Sequence, residues 1–174
     1  MDRRHALGGL ALLSLLPSRQ AGAQTISQNG PNSVESRQIM DTLATGTVSL
    51  ETSRIAMTKA ANPMVKRFAQ FEVAEQETIA MVLKGRGNLG DNPPPPADPK
   101  GEAMLKALQA KTGAEFDRAY LDGQVEGHQR LLQIQESYLQ AGKDEAHRGI
   151  AMLARGHIKE HLANLDMILG AMPG

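Results

Sequence analysis

Along this chain the apolar residues recur three and four apart, and the alternation that marks strands is absent. That spacing restricts the chain to packed helices. A first stretch, capped by Asn32 or Ser33 and running to about residue 61, carries Ile39, Met40, Leu43, Val48, Leu50, Ile55 and Met57. Gly46 lies inside it, as a kink or a point of close approach. Asn62-Pro63 is a stop-and-restart signal, a cap followed by proline at the first helical position. The second stretch runs to about residue 84. Its apolar face of Val65, Phe68, Ala69, Ile79 and Leu83 has Glu72 and Gln76 in the middle.

Residues 85–99 are rich in glycine and end in the run Pro93 to Pro96, which suits an extended polyproline spacer long enough to cross a bundle from end to end. Met104, Leu105 and Leu108 mark a short extra helix ending near Lys111. Thr112-Gly113-Ala114-Glu115 fits a capping box opening a third long helix to about residue 140, with the stripe Phe116, Tyr120, Leu121, Val125, His128, Leu132 and Leu139. Ala141-Gly142 closes it. The fourth, from about Asp144 to Gly170, carries Ile150, Leu153, Ala154, His157, Ile158, His161, Leu165 and Ile168. Two tight helix pairs joined by one long Pro-rich crossover describe an all-α four-helix bundle.

At the N-terminus, Arg3-Arg4 precedes a short apolar run over residues 8–16, and Ala21-Gly22-Ala23 follows as a small-residue cleavage site. The run is shorter than the roughly 20 residues a spanning helix needs. The paired arginines, the two glycines of a moderately apolar run, and Arg19 before the cleavage site read as a twin-arginine export signal. Residues 1–23 are therefore expected to be removed after Ala23, with the periplasm as destination. Residues 24–32 then form a polar leader and 33–170 the bundle domain. Cleavage takes Lys+Arg from 19 to 16 and Asp+Glu from 19 to 18, a formal charge of −2. With no basic block, nucleic acid and anionic membrane surfaces have no electrostatic claim on the chain, and no later stretch is long and apolar enough to span a bilayer. Cys and Trp are both 0, which removes disulfides and thiolate metal sites and leaves a core of Leu, Ile, Val, Met and Ala.

Function is expected where polar groups interrupt the apolar stripes. Of five histidines, His128, His157 and His161 lie on inward stripes, and His157 and His161 are four apart on one helix. A carboxylate centred in an apolar stripe, as Glu72 is, must be paired, neutral or metal-bound. Glu51, between Val48 and Ile55, is placed to reach the core as well. Glu51, Glu72, His128, His157 and His161 are thus the candidate metal ligands. Nitrogen and carboxylate ligands without sulfur suit one transition metal (iron, manganese, zinc or copper), with no spacing that chooses among them. Alternatively, the same residues close a metal-free hydrogen-bonded network. The string His157-Ile158-Lys159-Glu160-His161 matches the inverted zinc-protease pattern, but the chain has no room for the downstream acidic ligand and substrate domain. The scattered Met residues read as core filler, His147 as solvent-facing, and Glu75, Glu77 and Arg148 as surface charges. Phe71, Met81 and Val82 fall off the main stripe and hint at an exposed apolar patch.

Four strings carry a resemblance: Asn62-Pro63-Met64-Val65-Lys66-Arg67-Phe68-Ala69-Gln70, Thr112-Gly113-Ala114-Glu115-Phe116-Asp117-Arg118-Ala119-Tyr120-Leu121, Glu126-Gly127-His128 and Glu160-His161-Leu162. Over residues 40–169 the chain resembles the bacterial domain of unknown function family 4142. The resemblance implies a ferritin-like bundle of the periplasm or outer envelope, with no established activity. It also implies an inward Glu on helix one and an inward His on each later helix, matched here by Glu51, His128 and His161. The helix-two position is Gln76, a departure that removes one ligand, while His157 falls where the family has a non-ligand residue. The reading is an exported bundle with a mononuclear His/Glu metal site. The alternative is a metal-free module that binds an envelope partner or supports the envelope under stress. No nucleophile–base set or cofactor loop marks an enzyme.

Overall fold

A computed structural model of the chain describes residues 33–172. The expected export signal, its cleavage site and the leader over 24–32 lie outside the described residues. Five helices follow in order: α1 (Val34–Lys59), α2 (Pro63–Arg86), α3 (Pro99–Ala110), α4 (Gly113–Ala141) and α5 (Glu145–Gly170). The third and fourth long helices of the sequence reading are α4 and α5, and no strand occurs among the described residues.

Local chemistry sets the helix ends. The Ser33, Asn62, Asp98 and Asp144 side chains accept hydrogen bonds from the backbone N–H of Ser36, Met64, Gly101 and His147, and Pro63 and Pro99 occupy first helical positions. The proposed capping box at Thr112 does not form. Gly113 enters α4 at φ 60°, a left-handed conformation that glycine takes without strain, and this displaces the amides the Thr112 hydroxyl would have reached. Glu115 pairs instead with Lys111. The extra helix starts at Pro99, earlier than Met104, because Asp98 caps it.

The four long helices form a bundle in which α1 packs on α2 and α4, and α4 packs on α5, while α2 and α5 touch only sparsely. Antiparallel pairing of α1 with α4 is fixed by Gln38 opposite Gln135 and Ser53 opposite Tyr120. The crossover therefore travels the length of the bundle, and α3 lies across α1 and α4. At the α1–α2 turn, the buried Asp117 carboxylate of α4 accepts the Ala61 and Asn62 amides at 3.0 and 2.7 Å.

Two apolar clusters fill the interior. One joins Val65, Phe68, Ala69, Phe116, Tyr120, Leu121, Leu165 and Ile168; the other joins Ile39, Leu43 and Leu83. Between and beyond them the interior is polar, and α1 is the reason. Beside Ile39 and Leu43, the two residues of the apolar set read from the sequence that are buried, its inward face is Gln38, Thr42, Thr45, Ser49, Thr52, Ser53 and Ala56, and Met40 is exposed. Gly46 serves close approach, since a Cβ there would meet Gln76 Oε1 at 2.5 Å. On α5, Leu153 and His157 likewise turn outward, and the buried stripe is His147, Ala151, Ile158, Leu165 and Ile168.

Candidate metal centre

The centre of the polar belt is Glu72. The 3.6-residue period places it on the buried face of α2 with Val65, Phe68, Ala69, Gln76 and Leu83, and the side chain is fully buried. Its Oε1 accepts from the Ser49 hydroxyl at 2.6 Å and from Gln76 Nε2 at 2.9 Å. Its Oε2 has no aligned hydrogen bond. Two imidazole nitrogens instead stand beside it: His161 Nδ1 at 3.1 Å and His128 Nε2 at 3.4 Å. Those two nitrogens are 3.0 Å from each other.

Neighbours set the tautomers. His128 Nδ1 faces the Gln124 carbonyl at 2.8 Å, an acceptor only, so Nδ1 carries a proton and Nε2 is the nitrogen turned to the cluster. His161 Nε2 faces Glu75 Oε2 at 3.2 Å, which leaves Nδ1 as its inward nitrogen. Burial alone would raise the Glu72 pKa. Contacts with His128 and His161, attraction from His128 and the Ser49 hydroxyl outweigh burial and hold the carboxyl well below the usual carboxylate range. For His161, burial alone would lower the pKa, but the Glu72 and Glu75 carboxylates prevail and raise it to about 10. The metal-free cluster is therefore a carboxylate and an imidazolium whose Nδ1 proton lies among three converging atoms.

Around this cluster the walls are ordered. Phe68 meets the His161 ring edge-on at a centroid distance of 5.4 Å. Ser49 Oγ also lies 2.6 Å from Gln124 Oε1, and Gln124 Nε2 donates to Thr52 Oγ1 at 2.9 Å. A hydroxyl has one proton to give, and the ionised Glu72 is the stronger acceptor.

The five sequence candidates divide. Glu72, His128 and His161 converge, each offering a ligand atom within 4.8 Å of the others. Glu51 does not join them: two residues past Ser49, it lies about 200° round α1 from the inward stripe, and it pairs at the surface with Arg54 at 2.7 Å. His157 also stays outside. One turn before His161 but rotated away from the buried stripe of α5, its side chain is 59% exposed and sits 3.8 Å from Glu75. Two residues read as surface prove otherwise. His147 is buried against Gln38, and Glu75 is the outer partner of His161. Ser49 and Gln124 were missed because polar residues count against a buried stripe; their four-residue spacing from Ser53 and His128 was the available signal.

An all-α bundle with a central Glu/His/His cluster is the class these observations define. The chain belongs to the domain of unknown function family DUF4142, whose model matches residues 21–168. No curated protein matches it. Among solved structures it is similar to a candidate secreted protein of the DUF305 family from Streptomyces coelicolor, at a TM-score of 0.70 and 16% identity, covering 80% of this chain and 92% of that one. At that identity the likeness speaks to fold alone.

Proposed function

We propose that the protein is an exported envelope bundle that holds one divalent transition metal through Glu72 Oε2, His128 Nε2 and His161 Nδ1. One observation carries the reading. A tetrahedral metal with bonds of about 2.0–2.2 Å holds its ligand atoms about 3.4 Å apart, and the three separations here are 3.0, 3.1 and 3.4 Å. The donor set fits as well, with one carboxylate and two imidazoles whose remote nitrogens already face a carbonyl and a carboxylate, as metal-bound histidines require. Metal would take the place of the His161 Nδ1 proton, and a remaining position would be open to water or a small ligand. The twin-arginine signal, cleavage after Ala23 and periplasmic location belong to the same proposal. Export after folding lets the metal load in the cytoplasm.

Elemental analysis of tag-free mature protein, after exposure to iron, manganese, zinc and copper and then desalting, tests this. About one metal per chain is expected, lost in Glu72→Gln and His161→Ala; absence of stoichiometric metal with all four would contradict it. That result would favour the second reading, a metal-free module docking an envelope partner. Its support is exposed apolar surface on α2 and α5, with Phe71, Met81, Leu153 and Met167 each at least 60% exposed.

A further inference from the structure

Glu72 and His128 are buried, so a cation has to reach them from water, and the cluster lies at the seam between α2 and α5, which touch only sparsely. Side-chain exposure falls along this seam from 59% at His157 to 21% at Glu75, 16% at His161 and 0% at Glu72. Polar atoms descend it in a row. His157 Nδ1 is 3.8 Å from Glu75 Oε1, Glu75 Oε2 is 3.2 Å from His161 Nε2, and His161 Nδ1 is 3.1 Å from Glu72 Oε2. Glu75 thus turns one oxygen to each ring, and His161 turns one nitrogen to each carboxylate.

We propose that Glu75 and His157 form an outer docking position through which a divalent transition metal enters and leaves the buried ligands. The inference rests on the metal-binding reading above. A hydrated cation gives up its water reluctantly. A carboxylate and an imidazole at the mouth let it exchange waters for protein ligands one at a time, and the negative charge of Glu75 raises its local concentration there. His157 belongs to the path and not to the final ligand set. Its removal therefore raises the barrier in both directions and leaves the end states alone.

That gives a kinetic signature. In stopped-flow titrations of tag-free mature protein with Co²⁺, followed by visible absorption and by release to a chelator, His157→Ala is expected to slow loading and release together by about tenfold, with Kd unchanged. His157→Glu, which keeps a cation ligand at the mouth, is expected to stay near the wild-type rates. His157 is the residue to change because Glu75 also holds His161, so its loss would alter affinity itself. Unchanged rates in His157→Ala would overturn the outer position. A changed Kd would also overturn it, by making His157 a ligand of the final site. If wild type binds no Co²⁺, the metal-binding reading fails first, and the outer position falls with it.

Discussion

Two histidine-centred polar clusters sit inside this bundle, and their hydrogen bonding differs in kind. Near one end, His147 Nε2 donates to Gln38 Oε1 at 2.7 Å, Gln38 Nε2 donates to Gln135 Oε1 at 2.7 Å, and Gln135 Nε2 donates to Thr42 Oγ1 at 3.0 Å. Each group gives to one that takes, and the Tyr138 ring covers His147 edge-on at 4.8 Å. At the centre, Glu72 Oε2 has no aligned donor, and His128 Nε2 and His161 Nδ1 converge on the same spot. Satisfied chains of this kind specify packing, whereas converging ligand atoms leave a place for a cation. The difference separates a structural histidine from a candidate ligand in one molecule.

Breaking the two clusters should have unequal effects. In metal-free protein, Glu72→Ala leaves the His161 imidazolium without its buried counter-charge and should cost about 3 kcal/mol, measured by urea unfolding. Replacing Glu72, His128 and His161 together by Leu should be neutral or stabilising, as for buried ionic clusters elsewhere. A triple variant as unstable as Glu72→Ala would mean that the cluster serves the fold. Gln135→Leu leaves the Gln38 donor and the Thr42 hydroxyl unpaired and should cost about 2 kcal/mol, without affecting metal content.

The clusters should also respond to pH with opposite sign. The His161 pKa is raised from 6.5 to about 10, so its contribution is complete below pH 6.5 and fades as pH rises through about 10. The His147 pKa is lowered from 6.5, by burial first and by Arg86 second, and its place at the positive end of the α5 dipole acts the same way. Its contribution is complete above pH 6.5 and fades as pH falls below that value. Thermal melts of metal-free protein should therefore lose Tm on both limbs, and His147→Gln should flatten only the acid limb. An acid limb unchanged in that variant would refute the assignment. The smallest effect is at the α5 cap. Asp144→Ala removes the bond from the His147 amide and the Arg86 ion pair, at about 1 kcal/mol by denaturant titration.

Much of this arrangement was legible in the sequence, through patterns that local chemistry enforces. Asn62-Pro63, the proline-rich crossover and the caps marked the long helices to within a few residues. Glu72, set with Gln76 in the middle of an apolar face on α2, announced its burial. What escaped was context supplied by other helices. The inward face of α1 reads as surface because it is made of Thr, Ser and Gln, and the partners that let Gln38, Thr42, Ser49 and Ser53 be buried lie on α2, α4 and α5. Glu51 and His157 look inward only if the stripes follow the apolar residues, and both stripes turn by a fraction of a helical turn once the polar belt is buried. His147 sits where a charged surface residue is usual, and nothing within α5 foretells Gln38.

If Glu72, His128 and His161 grip one cation, a calorimetric titration of Zn²⁺ into the tag-free protein will register it. Saturation is expected at about one equivalent with proton release, lost in Glu72→Gln and in His161→Ala but retained in Gln135→Leu. No heat of binding, or binding that persists in both ligand variants, would contradict it.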